Sequence, residues 1–147
     1  MSVPDVLEVL LGQHGQIRRL CNDVGDAGTL GRDRRFAELA RLVNVHERAD
    51  LAVVHPMARG RSLAGDGVVA TCMAEEGNIE REFADLLALG VCHADFEGRF
   101  TALKAAIDNH LAYEEQEEFP LLRRYVQTQR LHMMAGQLHD TQVMDAN

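Results

Sequence analysis

Four stretches of the chain place apolar residues at three- and four-residue spacing, the period of a helix with one buried face. The first opens after Ser2-Val3-Pro4-Asp5, with Ser2 as the expected cap and Pro4 and Asp5 suited to a first turn. Its stripe reads Val6, Leu7, Leu10, His14, Ile17, Cys21 and Val24. Gly25-Asp26-Ala27-Gly28 breaks it, and a loop is expected to about Arg32. The second helix is expected from a cap at Asp33, with Phe36, Leu39, Leu42, Val43, His46, Asp50, Val53, Val54 and Met57 inward. The turn-rich piece from Gly60 to Gly67 closes this half. The third carries Val69, Cys72, Met73, Glu76, Ile79, Glu80, Phe83, Leu86 and Leu87, and stops at Gly90. The fourth, capped by Asp95, runs through Phe100, Leu103, Ala106, Ile107, His110 and Glu114 towards Pro120. Beyond it the chain stays helical in composition to about Leu138 and then becomes a polar tail. Long helices with short links predict an all-α, up-down antiparallel four-helix bundle with an additional short C-terminal helix or tail. Residues 1–122 would form the bundle and 123–147 the extension.

Within these stripes the second and fourth helices repeat each other. Phe36, Leu39, Val43, His46, Asp50, Pro56 and Met57 correspond to Phe100, Leu103, Ile107, His110, Glu114, Pro120 and Leu121. Each copy has a carboxylate four residues after the histidine and a proline further on. Residues i and i+4 are stacked neighbours on a helix, so imidazole and carboxylate face inward together. Ionisable groups turned into an apolar interior are costly unless a cation compensates them. Two such pairs on antiparallel helices would give two imidazoles and two bridging carboxylates, the recipe of a dinuclear metal site inside a bundle. On the first helix His14 is the inward donor. Spacing to the apolar residues that follow puts Glu76 in the equivalent place on the third. Nitrogen and oxygen donors without thiolate favour iron or manganese, with zinc a weaker choice.

Composition narrows the function classes. In 147 residues, 46% hydrophobic and 26% charged, there is one core's worth of apolar material. The net charge of −8 argues against a nucleic-acid partner. No apolar run approaches the roughly 20 residues of a membrane span, and there is no basic-plus-apolar leader. Three cysteines without CxxC spacing make a disulfide framework unexpected, which fits a reducing cytoplasm; Cys21 and Cys72 read as small core residues. Glu115, Glu117 and Glu118 read as a solvated face, and His55 as exposed near a helix end. His93, His132 and His139 fall outside the site. Tyr113 is expected to pack at a helix seam. Glu47 and Glu80 are reserve ligands.

Gln13-His14-Gly15-Gln16-Ile17, His46-Glu47-Arg48-Ala49-Asp50 with Pro56, and His110 through Glu114 with Phe119-Pro120 resemble the motifs of the hemerythrin-like, or HHE cation-binding, domain family. The resemblance covers roughly residues 3–122, with the third helix its weakest part. It implies a bundle of hemerythrin type holding two non-heme iron ions, with an oxo or hydroxo bridge, that handles dioxygen, hydrogen peroxide or iron itself. The metal ligands it implies are His14, His46, Asp50, Glu76, His110 and Glu114. Asp50 stands where the family usually has Glu, and Glu76 where it usually has His. The extra carboxylate would favour the ferric state and shifts the expectation from reversible oxygen carriage towards peroxide- or oxygen-reducing chemistry, or iron binding. An iron- or oxygen-sensing module, with residues 121–147 as output, and a metal-free interaction bundle are the alternatives.

Overall fold

The computed structural model describes residues 3–146, so Ser2 lies outside the described part. Asp5 caps α1 (Val6–Asp26) through a capping box: the Glu8 amide donates to Asp5 at 2.9 Å, and the Asp5 amide donates back to the Glu8 side chain. Arg123 donates to the other Asp5 oxygen at 2.8 Å, tying the start of α1 to a distant segment. The seven residues of the expected α1 stripe are all buried.

The link to α2 (Thr29–Ala49) is shorter than the sequence suggested. The helix starts well before Asp33, because extended Gly28 serves as N-cap and Arg32 donates to the Ala27 carbonyl at 3.1 Å, satisfying one end group of α1. After Ala49 the helix widens into a π turn, π1 (Asp50–Val54), then closes as α3 (His55–Ala58). The turn-rich segment is also more helical than expected. Ser62 accepts from the Gly65 amide and starts α4 (Leu63–Leu89), so Gly65 and Gly67 lie inside the helix. Gly65 has a packing reason: a Cβ there would meet the Ala58 carbonyl oxygen at 3.1 Å. Gly90, at φ 88°, ends α4 in a conformation that suits glycine. Asp95 precedes α5 (Phe96–Tyr113) without capping it through its side chain. α5 then repeats the pattern of α2: a π turn, π2 (Glu114–Glu118), and α6 (Phe119–Tyr125). The C-terminal helix α7 (Thr128–Ala146) is 19 residues long, extending well past Leu138. It packs on α1, α2 and π1.

The fold is all-α. Its core divides into two apolar clusters. One gathers Ile17, Phe36, Leu39, Phe83, Leu86, Phe96, Phe100 and Ile107. The other gathers Val6, Leu10, Ala49, Val54, Val69, Phe119, Leu122, and Leu131, Met134 and Leu138 of α7. Along α1 and α4 the chain passes from the second cluster to the first, and along α2, and again from α5 through π2 into α6, it passes back. Each helix crosses the boundary at a polar residue. Cys21 and Cys72 are fully buried, and burial pushes both thiols up, Cys21 to about 12, so they remain small neutral core residues. No described helix is long and apolar enough to cross a membrane.

Candidate metal centre

Between the two clusters lies a buried layer of eight ionisable side chains: His14, His46, Asp50, His55, Glu76, His110, Glu114 and Glu118. All six residues expected at the site are in it. Donor atoms of His14, His46 and Glu114 lie within 4.8 Å of one another, as do those of Asp50, His55 and Glu76. His110 joins the two groups, its Nε2 lying 2.8 Å from Glu114 and 3.9 Å from Glu76.

Three imidazoles are held from behind. His14 Nδ1 donates to Glu115 at 2.6 Å, and Arg18 steadies that carboxylate at 2.9 Å. His46 Nδ1 donates to the Gln13 side-chain oxygen at 2.8 Å, and His110 Nδ1 to Glu75 at 2.9 Å. These outer contacts fix the orientation of the rings and turn each Nε2 into the layer. All three Nε2 atoms are buried without a hydrogen bond, and so are both oxygens of Asp50, both of Glu114 and one of Glu118. Nitrogen and oxygen face each other along each helix, His46 and Asp50 at 3.2 Å and His110 and Glu114 at 2.8 Å. Buried polar atoms almost always have partners, so these converging donors form a set that could hold a cation. The donor set of imidazole and carboxylate, without thiolate, fits iron or manganese.

Electrostatics point the same way. Burial, with the neighbouring His46 charge, pushes His14 down to about 4, so its ring is neutral and free to ligate. Burial and the Asp50 charge hold Glu114 well above the usual carboxyl range, whereas Asp50, against the burial penalty, is held low by His46. Without a metal the layer thus relieves its repulsion by keeping a proton on Glu114.

Two residues overturn the sequence expectation. His55, expected to be exposed, is fully buried, with Nδ1 donating to Glu118 at 2.6 Å and Nε2 donating to Glu76. Glu118, expected on the solvated face, is also fully buried. Burial opposes charge on His55, but the bonds to Glu118 and Glu76 outweigh it and raise the ring to about 10, making it an imidazolium. Pro56 and Pro120 explain the error. A proline inside a helix lacks an amide and clashes with the carbonyl four residues back. Each helix avoids this by bonding over five residues just before the proline: the His55 amide donates to the Asp50 carbonyl, and the Phe119 amide to the Glu114 carbonyl. The extra residue turns both Val54 and His55 inward in one copy, and both Glu118 and Phe119 in the other. The repeated proline was the available signal.

Other candidates fall away. Glu80 is exposed, Glu47 is half-buried beside the layer, and Tyr113 is half-buried. Glu115, expected on the surface, holds His14 from behind. His93, His132 and His139 are exposed, away from the layer.

The family model for the hemerythrin HHE cation binding domain matches residues 5–122. Among solved structures the chain is similar to a hemerythrin HHE cation binding domain-containing protein from Mycobacterium kansasii. That likeness has 18% identity and a TM-score of 0.87, over 97% of this chain and 88% of the other. No curated protein matches. With the match running from residue 5 to residue 122 and covering every residue of the polar layer, the chain belongs to the hemerythrin HHE cation-binding domain family.

Proposed function

We propose that this chain is a non-heme di-iron protein that binds or reduces dioxygen or hydrogen peroxide. The observation that carries the reading is the set of unpartnered buried donors: three imidazole Nε2 atoms and all four oxygens of Asp50 and Glu114. In this reading His14 and His46 hold one iron, His110 and Glu76 the other, and Asp50 and Glu114 lie between them. His55 and Glu118 stand beside the second position, as a reserve ligand pair or as a proton-holding pair. The frame is an up-down four-helix bundle of hemerythrin type, with α7 laid across one end as an extension. Manganese would suit the same donors, and zinc is the weaker choice.

Two irons, when bound, supply two electrons to one small oxidant. The residues do the rest. Gln13, Glu75 and Glu115 fix the imidazoles, Phe119 stacks on His14 at 5.6 Å and keeps water from that side, and the apolar clusters above and below close the layer. Loading displaces the protons that Glu114 and His55 hold in the metal-free layer, so iron uptake releases acid. Three free cysteines fit a reducing, cytoplasmic setting. Iron analysis together with absorption spectra before and after hydrogen peroxide tests the reading. Two irons per chain and near-ultraviolet charge-transfer bands that change with peroxide are expected; no stoichiometric iron overturns it.

A sensing module is favoured by a separate observation. Gln142 of α7 hydrogen-bonds Gln13 at 2.8 Å, and Gln13 holds His46. Two contacts thus join the C-terminal helix to a candidate ligand. Equal hydrogen exchange in α7 with and without iron would discard it.

A further inference from the structure

Of the eight residues in the polar layer, seven are 0–1% exposed and Glu76 alone reaches 8%. It does so at the floor of a cleft of about 270 Å³ between α2 and α4, lined by Asn44, Glu47, Arg48, Leu51, Met73, Gly77 and Glu80. A neighbouring hollow shares Asn44, Glu47 and Glu80 and widens the mouth. The remaining large cavities of the described residues reach none of the eight. Of these cavities this one alone is lined by a residue of the layer, with the Glu80 and Glu76 carboxylates set from mouth to floor, Glu47 between them and Arg48 and Arg41 at the rim. Carboxylate oxygens suit a hard divalent cation, and Glu80 and Glu76 offer them in succession along this cleft. Gly77 keeps the floor open, since its missing Cβ would meet only the tip of Arg81 at 3.7 Å.

We infer that the α2–α4 cleft is the passage by which a divalent cation enters the centre, with Glu80 and Glu47 at its mouth and Glu76 as the first ligand to receive it. This rests on the metal-binding reading above. It adds a role for Glu47 and Glu80 outside the ligand set, and it places Gly77 on the floor of the passage.

The test is the rate of ferrous ion uptake by metal-free protein without oxygen, with unbound iron trapped by a coloured chelator at timed intervals. Gly77→Leu fills the cleft without changing charge, and Glu80→Lys reverses the charge at its mouth. Both are expected to slow loading about tenfold or more, within the range that steering and access give. Final iron content should stay at the wild-type value, and the Glu80→Lys effect should shrink as salt rises. Glu38→Lys, the same charge change beside a cavity that does not reach the centre, should load within about twofold of wild type. Wild-type loading in Gly77→Leu overturns the passage, as does equal slowing by Glu38→Lys. If Gly77→Leu does not fold, Leu51→Trp in the same cleft replaces it under the same criterion. Failure of wild type itself to take up iron refutes the metal reading instead, so the two failures are distinct.

Discussion

His55 decides how the metal-free centre survives. It carries a buried positive charge between Glu118 and Glu76, and both its nitrogens are occupied. Its folded pKa of about 10 lies above its ordinary 6.5. The stabilisation is therefore complete below about pH 6.5 and is lost as pH rises towards 10. Glu47, raised from 4.5 to about 9 by burial and the nearby Glu76 and Asp50 charges, acts in the same direction. Calorimetry in chelator should show the melting temperature falling through that range, and iron should flatten the fall. His55→Gln removes one partner from two buried carboxylates. A loss of about 3–5 kcal/mol is expected in the metal-free protein, checked by denaturant unfolding at pH 7. Behind His46, Gln13→Leu leaves that ring unoriented without touching a ligand. A loss of about 10–100-fold in iron affinity is expected, measured by competition with a chelator of known strength.

At the scale of elements, the paired π turns make the centre what it is. Apolar spacing located α1 to its exact buried residues and placed His14, His46, Asp50, Glu76, His110 and Glu114 on inward faces, because straight helices obey one period. The same spacing could not locate His55 or Glu118, because a π turn shifts the period by one residue and a fixed period cannot follow it. The ends of helices were also harder to read. Gly28 caps α2 by backbone conformation alone, and Ser62 starts α4 ahead of two glycines that resemble a turn. Pro120→Ala restores an amide at the position that forces π2. In metal-free protein the helix is expected to relax towards an α turn, holding or raising the melting temperature while turning Glu118 away. Iron affinity should fall by about tenfold, as for other losses of supporting groups; a variant with unchanged affinity would show that the proline does not set the register.

The whole molecule is two apolar clusters held apart by a charged layer, an arrangement that only a cation or a set of shared protons makes tolerable. α7 belongs to this design more closely than its late position in the sequence suggested. Leu131, Met134 and Leu138 complete the cluster beneath the layer and are buried with Val6, Leu10 and Val54. Ending the chain before Thr128 removes all three, each contributing about 1.5–3 kcal/mol of burial. The truncated protein should unfold at markedly lower denaturant than the full chain, as followed by circular dichroism. The most direct test of the central claim is anomalous diffraction at the iron edge from crystals of the iron-loaded chain. Two peaks inside the polar layer are expected, one beside His14 and His46, the other beside His110 and Glu76. A single peak, or iron found only outside the layer, would contradict it.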